Sequence, residues 1–114
     1  MRRDRDRLVD ILEALKSIEQ TVIEVSEAGF LSNEDIYHAT AYRLTVVGEA
    51  AARMSAEFKA NHPEIRWRGI IGLRNVLVHQ YFGIDRTLVW QLAADRVPPL
   101  RAQIAQIIDT EFPE

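Results

Sequence analysis

The sequence predicts an all-α protein, folded as a compact up-and-down bundle of four or five helices. Three observations support this class. Apolar residues recur at steps of three and four along most of the chain, which is the spacing of a helix face. No segment alternates apolar and polar residues in the way that a half-buried strand does. Capping residues, glycines and prolines divide the chain at points where helices begin and end.

Length and composition describe an ordinary globular protein. We expect residues 1–114 to form one domain, with 47% hydrophobic and 27% charged residues. The absence of cysteine excludes disulfides and thiolate chemistry and fits a reducing compartment, so we expect a cytoplasmic protein. No apolar run approaches the ~18 residues of a membrane span, and the mixed acidic and basic start does not resemble a signal peptide.

The first helix is predicted from Asp4 to Ala28. Gly29 is expected to end it, with Phe30 and Leu31 packed beneath the turn. The apolar positions of this helix alternate steps of three and four, as in the seam of a bundle: Leu8, Ile11, Leu15, Ile18, Val22 and Val25.

The second helix is predicted from Asn33 to Lys59, with an asparagine cap and acids in its first turn. Small residues around Gly48 allow another helix to approach closely. Glu49 and Arg53 are four apart in the favourable order, so an ion pair within the helix is favoured over a site role for Glu49. For Tyr42 and Arg43, packing and snorkelling are favoured over lining a cleft. The main apolar stripe is Ile36, Thr40, Leu44, Val47, Ala51, Met54 and Phe58.

The third predicted helix, Trp67 to Tyr81, organises the rest of the chain. Arg74 falls within its apolar stripe, seven residues after Trp67, where an apolar residue is expected. Because burying an unpaired charge is costly, we expect Arg74 to have an acidic partner, Glu49 among the choices, or to reach an aqueous cleft. The apolar members of the stripe are Trp67, Ile70, Ile71, Leu77 and Val78.

A polar line runs along the same helix. Gly72 removes side-chain bulk beside Asn75 and leaves room for a ligand or another backbone, although glycine weakens a helix by roughly 1 kcal/mol relative to alanine. Arg74 and His79 lie about 140° apart around an ideal helix, so they can flank one cleft or meet across a two-fold dimer. The line consists of Arg68, Gly72, Asn75 and His79, at steps of four, three and four.

The remainder of the chain predicts two further helices. Asp85 can cap a fourth helix. The segment from Val97 to Pro99 is expected to interrupt it, because proline lacks the helix donor and restricts the residue before it. A last amphipathic helix stops at Pro113 and carries Leu100, Ile104, Ile107, Ile108 and Phe112.

Several kinds of chemistry have no support in the sequence. The three histidines have no metal-ligand spacing, so neither a metal nor a cofactor is expected. We expect His62 to be an exposed loop residue and His38 a helix-surface residue. The net charge of −3 argues against a generic nucleic-acid binder, so a nucleic-acid role requires a local basic patch. Arg66, Arg68 and Arg74 can supply one, whereas the N-terminal arginines are interpreted as a solvated end: Arg2, Arg3, Arg5 and Arg7.

Residues Arg74 to Tyr81 match the pattern R-x4-H-x-Y, the signature of HepT-like proteins within the HEPN superfamily. Three further segments resemble that family in the right order, so that the likeness covers nearly the whole chain. They are LVDILEAL at Leu8–Leu15, VVGEAAARMS at Val46–Ser55, and the Pro-x-x-x-Trp of Pro63–Trp67.

The resemblance implies a dimeric helical bundle that is the toxin of a two-gene toxin–antitoxin system and a metal-independent endoribonuclease. By position in the motif, Arg74 is the phosphate-binding residue and His79 the base or acid. Asn75 and Arg68 are expected to orient or bind the RNA. The implied partner is a minimal nucleotidyltransferase antitoxin that attaches AMP to Tyr81, which places a bulky anion beside the two catalytic residues.

The chemistry of the residues agrees with this implication but leaves alternatives open. Histidine suits proton transfer, and arginine can bind a phosphate with two donors. A non-catalytic HEPN module that binds nucleotide or the partner enzyme is the alternative, and a purely structural subunit is a third hypothesis. In the structural interpretation, Arg74 is a satisfied salt bridge and His79 caps a helix end.

Overall fold

The computed structural model of this chain describes residues 3–78 and 85–113, and all regular structure in these two ranges is helical. The predicted all-α class is therefore confirmed. The helices are α1 (Asp4–Glu24), α2 (Glu27–Ser32), α3 (Glu34–Ala52), α4 (Ala56–Asn61), α5 (Trp67–Val78), α6 (Arg86–Gln91) and α7 (Val97–Glu111), with a π-helical turn (Leu92–Arg96), called the π turn below, between α6 and α7.

Helices α1 and α3 make the most extensive contacts in the bundle. Helix α1 packs against α3, α7 and the π turn, and α3 also packs against α5. Val22 and Val25 of its predicted inner seam are half-buried. The other four residues of that seam are fully buried, and burial of each aliphatic side chain contributes about 1.5–3 kcal/mol. They are Leu8, Ile11, Leu15 and Ile18.

The predicted end of the first helix is wrong. Helix α1 ends at Glu24, and Val25 and Ser26 have extended backbones. The Ser26 hydroxyl accepts a hydrogen bond from the Gly29 amide at 3.0 Å and so begins a separate helix, α2. Gly29 therefore lies inside a helix rather than ending one, whereas Phe30 is fully buried, as expected.

The second predicted helix is also divided. Its start is confirmed, because the Asn33 side chain accepts a hydrogen bond from the Ile36 amide at 3.2 Å. Its predicted end at Lys59 is wrong, since α3 ends at Ala52 and Ser55 caps the short helix α4 through the Phe58 amide at 3.1 Å. Ser55 favours a new helix although the apolar spacing continues across it. Its hydroxyl satisfies a backbone amide in the first turn of α4 that would otherwise have no partner.

The start of the chain holds this second break in place. Both carboxylate oxygens of Asp4 accept hydrogen bonds from Ser55, one from the amide at 2.9 Å and one from the hydroxyl at 2.6 Å. The first turn of α1 is thus fastened to the first turn of α4.

The two prolines do not interrupt the last helical segment. Asp85 caps α6 through the Leu88 amide at 3.0 Å, as predicted, but the helical backbone then continues through the π turn into α7. At the junction, the Val97 amide donates to the Leu92 carbonyl, five residues back. This wider turn accommodates Pro98 and Pro99 at the start of α7, where a regular helix would place each ring against the carbonyl four residues back.

His62 is not the exposed loop residue that the sequence predicts. Its side chain is 11% exposed, and Nε2 lies 2.7 Å from a carboxylate oxygen of Glu111 at the end of α7. Nδ1 lies 3.1 Å from Glu64, and the ring lies against Phe58. His38, by contrast, is exposed as expected.

None of the helices within residues 3–78 and 85–113 is both long and apolar enough to cross a membrane.

Candidate functional site

Helix α5 begins at Trp67, as predicted, because that residue is fixed at its start. The indole is buried, and its N–H donates a hydrogen bond to the His62 carbonyl at 3.0 Å. The Trp67 amide donates to the Ile65 carbonyl at 2.9 Å. The buried His62 cluster thus positions the helix that carries the predicted site residues. The structure describes this helix to Val78, so its predicted end at Tyr81 lies outside the described residues.

Gly48 brings α3 and α5 into backbone contact. A Cβ atom at position 48 would lie 2.8 Å from the Ile70 carbonyl oxygen and 3.6 Å from the Arg74 amide nitrogen. A contact of 2.8 Å is too short for carbon and oxygen, so the approach depends on glycine. The predicted close approach at this small-residue segment is confirmed, and it places the backbone of Arg74 beside α3.

Arg74 does not lie in the apolar interior. Its side chain is 61% exposed, and Nε lies 2.9 Å from a carboxylate oxygen of Glu49. The expected acidic partner is therefore present and is Glu49. Within the described part of the chain, Glu49 pairs with Arg74 and not with Arg53, so the predicted pair inside the second helix is wrong.

This ion pair positions Arg74 more than it stabilises the fold. Both side chains are partly exposed, and exposed ion pairs contribute about 0–1 kcal/mol. Since Glu49 contacts Nε, the two terminal nitrogens of the guanidinium can still present two donors to a phosphate. The arrangement holds a cation at the surface with its planar group orientated by a neighbouring helix.

The apolar stripe around Arg74 is buried in a graded way. Trp67 and Leu77 are buried, and Ile70 and Ile71 are half-buried against the core. A surface helix that packs on one side shows this gradation, so the predicted core-facing stripe is confirmed at these four positions.

The polar line of α5 faces solvent over the part that the structure describes. Arg68 and Asn75 are exposed, and no atom lies within 4 Å of a Cβ placed on Gly72. The predicted open space beside Asn75 is therefore present. Asn75 follows Arg74 directly, so the amide and the guanidinium occupy neighbouring surfaces of one helix turn.

Two of the predicted site residues, His79 and Tyr81, lie outside the described residues. Their roles as proton-transfer residue and modification site stay predictions.

Other candidate residues occupy different surroundings. Arg66 lies at the mouth of an apolar cleft between α5 and the π turn. Tyr42 is 70% exposed, so the expectation that it packs is wrong. Arg43 is half-buried.

Tyr42 and Glu49 are seven residues apart and so lie on one side of α3. The GEAA segment of the sequence contains Glu49, and the ion pair with Arg74 brings this residue to the candidate site.

In the described ranges, no group of three or more His, Cys, Asp or Glu side chains is close enough together to hold a metal ion.

The fold and the site define a small helical protein whose surface arginine begins an R-x4-H-x-Y segment. The family model described as ribonuclease HepT-like matches residues 11–107, and the chain belongs to this HepT-like ribonuclease family. The resemblance found in the motif is thereby confirmed.

Three relatives match along most of their own length. A candidate RNase of Methanocaldococcus jannaschii is 32% identical over 97 residues, which cover 85% of this chain and 89% of the relative. A candidate ribonuclease HepT of Thermococcus cleftensis is 33% identical over 106 residues, or 93% of this chain and 96% of the relative. A candidate RNase of Caldanaerobacter subterraneus subsp. tengcongensis is 28% identical over 111 residues, or 97% and 99%. No solved structure gives a significant match.

Proposed function

We propose that this protein is a metal-independent endoribonuclease and the toxin of a two-gene toxin–antitoxin system. The observation that carries the proposal is the surface position of Arg74, orientated by Glu49 and followed by Asn75 on the helix that begins the family motif. Membership of the HepT-like ribonuclease family and relatives named as ribonucleases support the same activity.

In the proposed reaction, His79 transfers protons and Arg74 binds the scissile phosphate. A base removes the proton of the ribose 2′-hydroxyl, and the 2′-oxygen attacks the phosphorus. The bond to the 5′-oxygen breaks, and an acid protonates this leaving group. The products are a 2′,3′-cyclic phosphate and a 5′-hydroxyl. The guanidinium stabilises the charge that develops on the phosphorane, and charge-assisted hydrogen bonds suit this task.

The proposal includes a second copy of the chain and an antitoxin. The motif of one chain offers one arginine and one histidine, Arg74 and His79, whereas a two-fold dimer supplies two of each around one cleft. Asn75 and Arg68 bind or orient the RNA along the exposed side of α5. A minimal nucleotidyltransferase neutralises the toxin by attaching AMP to Tyr81, where the adduct competes with RNA for Arg74. We propose that the dimer acts in the cytoplasm.

The Arg74–Glu49 pair also favours a second candidate function. A satisfied surface ion pair is what a non-catalytic module would retain, and such a module would bind nucleotide or a nucleotidyltransferase partner without cleaving RNA. The two functions differ in one respect that can be measured, which is cleavage that depends on Arg74 and His79.

The test uses protein expressed without a partner, with Tyr81 shown by mass to be unmodified. End-labelled tRNA and mRNA are incubated with it in EDTA, beside the variants His79→Ala and Arg74→Ala. His38→Ala is the matched control, since it removes an exposed histidine from another helix. We expect the wild type and His38→Ala to leave 2′,3′-cyclic phosphate ends and the other two to be at least a hundredfold slower. Equal cleavage by His79→Ala would contradict the assignment, and no cleavage by any protein would favour the binding module.

A further inference from the structure

A cleft of about 300 Å³ lies between α5 and the π turn, away from the polar line of α5. Its floor is formed by α1, α3 and the start of α7, through Leu15, Leu44, Val47 and Val97, all of which are buried. Its volume is at the lower end of the range of small-ligand sites. We call it the α5–π cleft.

The inside of the α5–π cleft is aliphatic. The walls are half-buried side chains, Ile70 and Leu73 on α5 facing Leu92 and Leu100 on the other side. Apart from two arginines and a glycine at the mouth, every lining side chain is that of leucine, isoleucine or valine. Such a lining cannot satisfy the hydrogen-bonding edge of a nucleobase or the amides of a peptide, and burying these groups without partners is costly. An alkyl chain has no such requirement.

The mouth of the cleft is cationic. Arg66 precedes α5 and Arg96 ends the π turn, so the two arginines line the cleft from two different segments of the chain. Both residues are exposed. Among the residues that the structure describes, neither has a carboxylate within ion-pair distance. Two unpaired cations above an aliphatic cavity are complementary to an anionic head attached to an apolar chain.

Two features of the backbone keep the cleft open. Gly69 is exposed at the mouth, and no atom lies within 4 Å of a Cβ placed on it, although glycine costs a helix interior about 1 kcal/mol relative to alanine. The π turn, which directly precedes Val97, Pro98 and Pro99, ends in Arg96, and both Arg96 and the buried Val97 line the cleft. Single π-helical turns inside α-helices occur frequently at functional sites.

We infer that the α5–π cleft binds a small amphiphilic carboxylate, with its aliphatic chain on the leucine and valine floor and its carboxylate between Arg66 and Arg96. No residue that lines the α5–π cleft has a role in the proposed cleavage reaction, although Arg74 follows Leu73 directly and Arg66 is a candidate for the basic patch. Arg68 and Asn75 lie on a different side of α5 from Ile70 and Leu73. Because the test below measures binding in the absence of RNA, its outcome is distinguishable from that of the cleavage assay.

The experiment is a titration of the full chain with decanoate, below its critical micelle concentration, followed by the methyl NMR signals of leucine, isoleucine and valine. We expect saturable one-to-one shifts at Leu73 and Leu92. Decanol and decylammonium are the matched probes, with the same chain and a neutral or cationic head. We expect each to bind at least tenfold more weakly than decanoate, because each loses the charge-assisted contacts to the arginines.

Two pairs of variants assign the site. The double variant Arg66→Gln/Arg96→Gln should weaken decanoate binding at least tenfold, whereas Arg53→Gln, an exposed arginine at the end of α3, should not change it. Gly69→Phe should block the mouth, whereas Gly69→Ala, whose methyl group meets no atom, should bind as the wild type does.

Three results would overturn the inference. The first is the absence of saturable shifts in the folded wild type. The second is equal binding of decanoate and decanol, or decanoate binding that the double variant retains. The third is a dimer in which the cleft methyls are already covered without added ligand, which would assign the cleft to a second copy of the chain; a dimer that leaves these methyls accessible agrees with the inference.

Discussion

Glu49 orientates the side chain of Arg74 across 2.9 Å, one residue after the glycine that brings α3 against the backbone of the same arginine. Two neighbouring residues of α3 therefore contact Arg74. Gly48 allows the backbone of α3 to approach the backbone of Arg74, and Glu49 forms an ion pair with its side chain. The cation of the motif is positioned by α3 as well as by its own helix. This relationship connects the GEAA segment of the sequence to the R-x4-H segment.

The first prediction concerns Glu49, and it rests on the proposed ribonuclease function. We expect Glu49→Ala to lower kcat for RNA cleavage about tenfold, because Arg74 loses the contact that orientates it. Glu49→Gln keeps an oxygen acceptor near Nε and should retain most of the activity. The free energy of unfolding should change by less than about 1 kcal/mol in both variants, since the pair is partly exposed.

A positioning role for Glu49 is distinguished from a structural one by measuring kcat, KM and urea unfolding on the same preparations. A large loss of stability in Glu49→Gln would indicate a structural role. Faster cleavage by Glu49→Ala would indicate that the carboxylate competes with the RNA phosphate for Arg74.

The second prediction concerns the packing of α3 on α5. Gly48→Ala places a methyl group 2.8 Å from the Ile70 carbonyl oxygen, so the two backbones must separate. We expect a loss of about 1–3 kcal/mol in the free energy of unfolding, measured in urea. Gly72→Ala is the matched control, because its methyl group meets no atom within 4 Å and alanine favours a helix. That variant should gain up to about 1 kcal/mol. Equal effects of the two substitutions would contradict the glycine contact.

The sequence predicts the inner faces of the helices better than it predicts their bounds. Asn33 and Asp85 cap helices through the contacts that local capping rules predict. The breaks at Ser26 and Ser55 were missed because the apolar spacing continues across them. The short helices α2 and α4 bury Phe30 and Phe58 in the same core as the long helices. The spacing of apolar residues therefore does not indicate where the helices break.

The features of the candidate site that lie on one helix can be predicted from the sequence, whereas the contacts between two helices cannot. The polar line of α5 follows from residue spacing, and Arg68 and Asn75 are exposed accordingly. The contact of Arg74 with Glu49 joins two helices, and the projection of a single helix contains no such contact. His62 shows the same limit, because the contact that buries it comes from Glu111 at the far end of the chain.

The third prediction concerns His62, which joins the end of α4, the start of α5 and the end of α7. Its two ring nitrogens contact Glu64 and Glu111, and its carbonyl accepts the hydrogen bond of Trp67. We expect His62→Ala to lose about 2–3 kcal/mol in the free energy of unfolding, through the cavity and the lost polar contacts. His38→Ala, at an exposed position, should change it by less than about 0.5 kcal/mol. Similar unfolding midpoints for the two variants would show that the His62 cluster adds nothing to stability.

The fourth prediction concerns the acid side of the stability profile. A backbone hydrogen bond, and then the hydrogen bond and charge of His62, lower the pKa of Glu64 from its ordinary value of 4.5, although desolvation opposes them. Because the pKa of Glu64 is lower in the folded chain, the unfolded chain takes up a proton at this carboxylate more readily as the pH falls below about 4.5. The contribution of Glu64 to stability is therefore complete above about pH 4.5 and is lost as the pH falls through the pKa of the folded state. Glu64→Gln should therefore lose less stability than the wild type between about pH 6 and pH 3, in urea unfolding at each pH. Glu57→Gln, at an exposed glutamate of α4, is the matched control and should follow the wild-type profile. If the wild type and Glu64→Gln gave parallel profiles, Glu64 would have no part in the acid sensitivity.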